Sequence, residues 1–107
     1  MEVITNNTIK CTIALAGLYD VYDPEIGLNV VDLGLIYQID FDEVEKIISA
    51  SMTLTTQFCP MGESITADVT QTLANTFKEY RVNVDLTFDP PWSSDRISAE
   101  GQEFLNH

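Results

Sequence analysis

The sequence predicts an α/β (α+β) fold: a two-layer sandwich in the order α-β-β-α-β-α, with a small mixed sheet and helices packed on one face. Three observations lead there. Apolar residues recur at helical spacing near residues 8–22 and 60–78. Three other stretches alternate apolar with polar residues, as half-buried strands do. Only a short polar connection separates the first two of these, which predicts an antiparallel hairpin. With 107 residues, the chain (1–107) fits one domain with its own core.

The first helix is expected over Thr8–Tyr22, where Cys11, Ala14, Leu15, Leu18 and Tyr22 share one face. Asn6, Asn7 and Thr8 are candidate N-caps. Pro24 is expected to end this helix, because the residue before a proline is pushed out of the α region. In the first strand, Leu35, Tyr37, Ile39 and Phe41 fall on one face and Ile36, Gln38 and Asp40 on the other. After the polar turn at Asp42–Glu45, Ile48, Ala50, Met52 and Leu54 point inward from the second strand. The second helix, Pro60–Lys78, buries Ile65, Val69, Leu73 and Phe77 at intervals of four. Val82, Val84, Leu86 and Phe88 form the third strand's apolar face, and Asp89-Pro90-Pro91-Trp92 ends it, since proline lacks the ladder N–H. A last helix starts at Ser98, capped by its hydroxyl, with Glu100 in its first turn.

Charge and composition exclude several functions. The formal net charge is −12, from 17 acids against 5 basic residues, so neither nucleic acid nor an anionic membrane has a basic patch to meet. The acidity either steers a basic partner or keeps the chain soluble. No apolar run approaches the ~20 residues that span a bilayer. The opening residues carry neither a basic region nor an apolar one, so no secretory signal is read and a cytoplasmic location is expected. Cys11 and Cys59 sit on distant segments and read as free thiols.

Cys59 is the sharpest chemical feature. It follows a strand and loop and precedes Pro60 at an expected helix start, where unpaired N–H groups and the helix dipole favour thiolate. A small buried hydrophobe is the alternative reading, and it is the one that suits Cys11, on the apolar stripe of helix one. Asp23-Pro24-Glu25-Ile26-Gly27 offers two carboxylates on a rigid turn, able to meet a metal or a basic partner. The same residues are also ordinary turn chemistry. Trp92, stiffened by its prolines, suits either a partner contact or a lid over the core. The only histidine is the terminal His107, and there is no Cys-x-x-Cys, His-x-x-x-His or glycine-rich phosphate loop.

These segments together resemble the SufT/PaaD-like iron–sulfur cluster assembly domains, of the stand-alone bacterial type and related to eukaryotic cytosolic iron–sulfur targeting proteins. Asp23-Pro24-Glu25-Ile26-Gly27 runs into Asn29-Val30-Val31-Asp32-Leu33-Gly34-Leu35-Ile36-Tyr37; Met52-Thr53-Leu54-Thr55 is followed by Cys59-Pro60; and Asp89-Pro90-Pro91-Trp92 closes the set. The resemblance implies a maturation factor that delivers clusters to client proteins or helps insert them. It puts the family's reactive cysteine, the metal or persulfide ligand, at Cys59. Asp23, Glu25, Asp32 and Thr55 are its implied supporting site, and Asp89 and Trp92 its implied partner contact. It also implies a transient iron–sulfur cluster, with an assembly scaffold and apo client proteins as partners. The cysteine-rich tail of PaaD proteins is absent, which counts against a role in phenylacetyl-CoA oxygenation. A cluster normally takes four ligands, so one cysteine needs others from outside the chain, and a homodimer pairing two Cys59 thiols is the simplest source.

A non-enzymatic role is therefore expected. Two alternatives stand beside it. One is an enzyme with Cys59 as nucleophile and Asp23 or Glu25 as base, although a carboxylate is a weak base for a thiol of pKa ~8.5. The other is an acidic adaptor without cluster chemistry. The hairpin further predicts that Asp23 and Glu25 lie near Cys59, because the end of its second strand lies beside the start of its first.

Overall fold

The computed structural model describes residues 3–58 and 61–106. Its elements in chain order are β1 (Ile4–Thr5), α1 (Thr8–Leu18), β2 (Tyr22–Asp23), β3 (Leu28–Asn29), β4 (Ile36–Asp42), β5 (Ile47–Met52), α2 (Gly62–Thr76), β6 (Arg81–Leu86), a 3-10 turn (Ser94–Arg96) and α3 (Ala99–Leu105). This is the expected α+β sandwich with three short strands added. The main sheet is mixed, in the order β1-β4-β5-β6. β4 and β5 form the expected antiparallel hairpin, while β1 joins β4 and β6 joins β5 in parallel. A separate small hairpin pairs β2 with β3.

α1 packs along β4 and α2 along β6, and the two helices pack on each other. The core lies between this pair and the sheet. Ile65, Val69 and Leu73 of α2, Cys11, Ala14 and Leu18 of α1, and Ile39, Ile48 and Met52 of the sheet are all buried. Each fully buried Leu, Ile or Val contributes roughly 1.5–3 kcal/mol of transfer free energy. At one end, Phe41, Phe77 and Tyr80 meet edge-to-face, with ring centroids 5.3–6.1 Å apart. There Lys10 of α1 bridges to Glu43 of the β4–β5 turn (2.9 Å) and to the Tyr80 hydroxyl.

Asn7 is the N-cap of α1; its Oδ1 accepts from the Lys10 N–H. Asn6 does something else: its side-chain amide exchanges two hydrogen bonds with the Phe41 backbone and so prolongs the β1–β4 pairing. α1 stops at Leu18, well before Pro24. The Tyr19, Asp20 and Val21 N–H groups turn back onto the helix end, Val21 fills the core, and the chain enters β2. Tyr22 therefore leaves the predicted helical face and is 53% exposed.

Tyr37 also departs from its expected face. Ile36 pairs with Met52 but Gln38 pairs with Ser51, so β4 carries one extra residue, a β-bulge at Tyr37. The bulge resets the alternation: Ile36, Ile39 and Phe41 point inward, and Tyr37 lies under the Arg96 guanidinium, 4.1 Å from its ring. The other predicted helix ends also shift. α2 begins at Gly62, two residues beyond Pro60, and Phe77 is its C-cap rather than its last buried turn. α3 is capped as expected, with Ser98 Oγ accepting from the Gly101 N–H.

Candidate functional site

The β4–β5 pairing carries the end of β5 to the start of β4. Thr53 N–H donates to the Leu35 carbonyl, Leu35 N–H to Val30 and Val30 N–H to Val21. These three bonds tie the β2–β3 hairpin, with Asp23, to the segment that leads from β5 toward Cys59. Cys59 and Pro60 lie outside the described residues, and so does the expected approach of Asp23 and Glu25 to the thiol. The N-cap of α2 is Met61, so the helix starts at Gly62 rather than at residue 60. Gly62 lets the helix start press on the core, since a Cβ there would lie 2.6 Å from Leu54 Cδ1.

The residues leading to Cys59 line a cleft of about 260 Å3. Thr55, Thr56, Gln57 and Phe58 form one side, and Phe88, Pro91 and Trp92 the other. Phe58, joined directly to Cys59, is 82% exposed. Trp92 is held in place: its indole N–H donates to the Leu33 carbonyl at 2.6 Å, and it packs against the core. Trp92 is thus an anchored ring that packs over the core and walls the cleft. Its loop is tied back by the Tyr37 hydroxyl, which donates to the Pro90 carbonyl at 2.8 Å. Asp89 is exposed, and its N–H donates to Thr87 Oγ1.

Asp23 and Glu25 occupy opposite environments. Asp23 is 1% exposed. Its Oδ1 accepts from the Glu25 N–H at 2.9 Å, and its carbonyl accepts from Ile26 and Gly27. Its Oδ2 is buried and finds no hydrogen-bond donor among the described residues. Buried polar atoms are nearly always partnered, so this oxygen stands out among the described residues as an acceptor without a donor. Glu25, by contrast, projects into solvent.

Asp32 is fully engaged in holding the fold. Ser98 Oγ donates to its Oδ1 and Asn29 Nδ2 to its Oδ2, both at 2.7 Å; its carbonyl accepts from the Ser98 N–H. It ties the loop after β3 to the cap of α3, and so supports the Leu33 carbonyl that holds Trp92. Cys11 is buried in the core and joined to no disulfide, and burial pushes its thiol pKa up. Among the described residues, no three of His, Cys, Asp and Glu gather as a metal-ligand set. Also among them, no helix is long and apolar enough to cross a membrane.

Sequence reasoning did not single out Phe58, Gln57 or Phe88. An exposed phenylalanine directly before a Cys-Pro pair was the available signal. Ser98, which completes the Asp32 tie with Asn29, carried no local mark beyond capping.

Comparison with known proteins bears on this arrangement. Residues 14–86 match the family described as iron–sulfur cluster assembly protein. A Porphyromonas gingivalis protein named Fe-S protein maturation auxiliary factor is 42% identical over 83 residues, covering 78% of this chain and 78% of that protein. The Bacillus subtilis Fe-S protein maturation auxiliary factor YitW is 36% identical over 84 residues, 78% of this chain and 81% of its own. The crystal structure of a domain of unknown function from Bacillus anthracis superposes with a TM-score of 0.83 at 32% identity, covering 94% of this chain and 98% of that one. On these matches, the chain belongs to the iron–sulfur cluster assembly protein family.

Proposed function

We propose that this protein matures iron–sulfur proteins as a non-enzymatic carrier, with Cys59 as a transient thiolate ligand to a cluster in transit. The cluster is cargo. Transfer is ligand exchange: a client cysteine loses its proton as it binds iron, and the departing Cys59 thiolate takes one up. Iron and sulfide keep their oxidation states throughout.

Family membership carries the reading, since relatives at 36–42% identity are named maturation auxiliary factors. Local geometry supports it. The residues leading to Cys59 border a cleft walled by the anchored Trp92, and Asp23 holds a buried carboxylate oxygen without a partner among the described residues. One thiol does not hold a cluster unaided. The remaining ligands come from a second copy bridged through the cluster, from the assembly scaffold, or from the apo client in the cytoplasm.

The test is anaerobic iron–sulfide reconstitution of the wild type, Cys59→Ser and Asp23→Asn, followed by transfer to an apo-ferredoxin. Wild type should bind a labile, substoichiometric cluster and pass it on. Cys59→Ser should lose both properties. If Cys59→Ser binds and transfers as well as wild type, the carrier reading fails and an adaptor role replaces it.

A further inference from the structure

Beside the cleft, α2 and the end of β6 line an open groove of about 620 Å3. Its wall is one stripe of α2, Glu63, Thr66, Ala67, Thr70 and Gln71, at positions i, i+3, i+4, i+7 and i+8. These side chains are short or polar and leave room. Its floor is apolar: Leu54, Leu86 and Phe88, with Leu86 43% exposed. Leu54, Gln57 and Phe88 also line the cleft, so the two recesses are continuous.

β6 is an edge of the main sheet. Arg81 N–H donates to Lys46 and Thr87 N–H to Met52, both toward β5. Strand alternation then points the N–H and C=O groups of Val82, Val84 and Leu86 away from the sheet, and no described strand lies on that side. Such an edge is a template for one more strand.

Charge identifies the occupant. Glu63 lines the groove, and Asp85 and Asp89 flank Leu86 and Phe88 along the chain. None of the five basic residues lines it. Lys10 and Lys46 are drawn to Glu43 and Tyr80, Arg81 opens β6 at the far end from Leu86, Lys78 follows the far end of α2, and Arg96 is bonded to the Gly34 carbonyl. A second copy seated here would set the same acidic rim against itself.

We infer that this groove docks an extended, lysine- or arginine-bearing apolar segment of a partner protein, which adds as a strand to the free edge of β6. Its apolar side chains enter between α2 and Leu86, and its cations, which alternate to the opposite face of the sheet, meet Asp85 and Asp89 there. Because the groove runs into the cleft beside Phe58, a docked client would be held at the residue that precedes Cys59 in the chain. Only the identification of the partner as a client rests on the maturation reading; the docking does not.

The test uses a fluorescein-labelled decapeptide of alternating lysine and leucine, titrated by anisotropy, with glutamate–leucine and lysine–serine peptides beside it. Wild type should bind the lysine–leucine peptide best, and methylating its alternate backbone amides should abolish binding. Leu86→Glu and Ala67→Glu separate groove from charge. Both add an acid, so charge alone would tighten binding, whereas a blocked groove weakens it about tenfold or more. Both positions are solvent-facing, and far-UV circular dichroism checks their folding. Unchanged or tighter binding by both variants overturns the inference, as does equal binding of the lysine–serine peptide. A wild-type dimer in sedimentation equilibrium that Leu86→Glu makes monomeric also overturns it and assigns the groove to a second copy. Neither thiol nor cluster enters these measurements, so docking can fail while the carrier reading stands, and the reverse.

Discussion

Gly34 supports both the fold and the cleft, and replacing it with alanine separates two physical costs. Its φ is +76°, where a residue with a Cβ pays roughly 1–2 kcal/mol. An added Cβ would also lie 2.4 Å from the Arg96 carbonyl oxygen, 2.7 Å from Arg96 Cβ and 2.9 Å from its carbonyl carbon. Two of those three atoms are backbone, so the turn at Ser94–Arg96 must move. Moving it strains the 2.9 Å bond from Arg96 Nε to the Gly34 carbonyl and the neighbouring Asp32–Ser98 tie. Each strained bond adds about 1 kcal/mol, for a total loss of about 3–4 kcal/mol. Gly27 is the control: its φ is +81°, but nothing lies within 4 Å of an added Cβ, so Gly27→Ala should show the conformational cost alone. With a urea m-value of about 1.2 kcal/mol/M, the midpoint should fall about 1 M for Gly27→Ala and about 3 M for Gly34→Ala. Trp92, the only tryptophan, reports unfolding and sits on the adjoining Leu33 carbonyl. Equal midpoint losses in the two variants would refute the steric argument.

The Lys10–Glu43–Tyr80 cluster predicts an acid-sensitive contribution to stability. The Lys10 hydrogen bond, and then the Tyr80 one, lower the Glu43 pKa to about 2 from an ordinary 4.5. A lowered carboxylate stabilises the fold above its unfolded value, and that contribution is lost as pH falls from about 4.5 to about 2. The stability gap between wild type and Lys10→Met should therefore close across that window; a gap independent of pH would remove the cluster as its source. Burial raises the Cys11 pKa, so iodoacetamide at neutral pH should label Cys59 first, as peptide mass mapping would show. Faster labelling of Cys11 would reverse the assignment of the two thiols. Asp23→Asn keeps an oxygen to accept from the Glu25 N–H, so thermal unfolding should change by about 1 kcal/mol or less. A much larger loss would mean that the second carboxylate oxygen has a structural partner.

The helices, the main hairpin and their order were legible because their apolar periods are long. Ile65, Val69 and Leu73 state the buried face of α2 without reference to anything else. Two-residue strands carry no period, so β1, β2 and β3 could not be read; at β2 and β3 only the turn residues between them were visible. The end of α1 was misplaced for the same reason. Pro24 marks where a helix cannot continue, but the chain had already turned at Tyr19 to bring Val21 into the core. The bulge at Tyr37 is a property of the β4–β5 pair, since the extra residue is defined only against Ser51 and Met52. Alternation along one strand therefore assigned Tyr37 to the wrong face.

The candidate site shows the same limit in its chemistry. Asp23 and Glu25 have similar side chains two positions apart, and nothing local distinguishes them. The β2–β3 hairpin does, because pairing Asp23 with Leu28 turns the aspartate inward while the turn carries Glu25 into solvent. A buried carboxylate is costly, so a chain with 17 acids would be expected to leave this one exposed if it served only the turn. The turn needs one acceptor, and Oδ1 supplies it to the Glu25 N–H. Oδ2 lies beyond that need, buried and without a donor among the described residues. The two oxygens are thus split in their bonding: one shapes the hairpin, and the other meets no donor among the described residues.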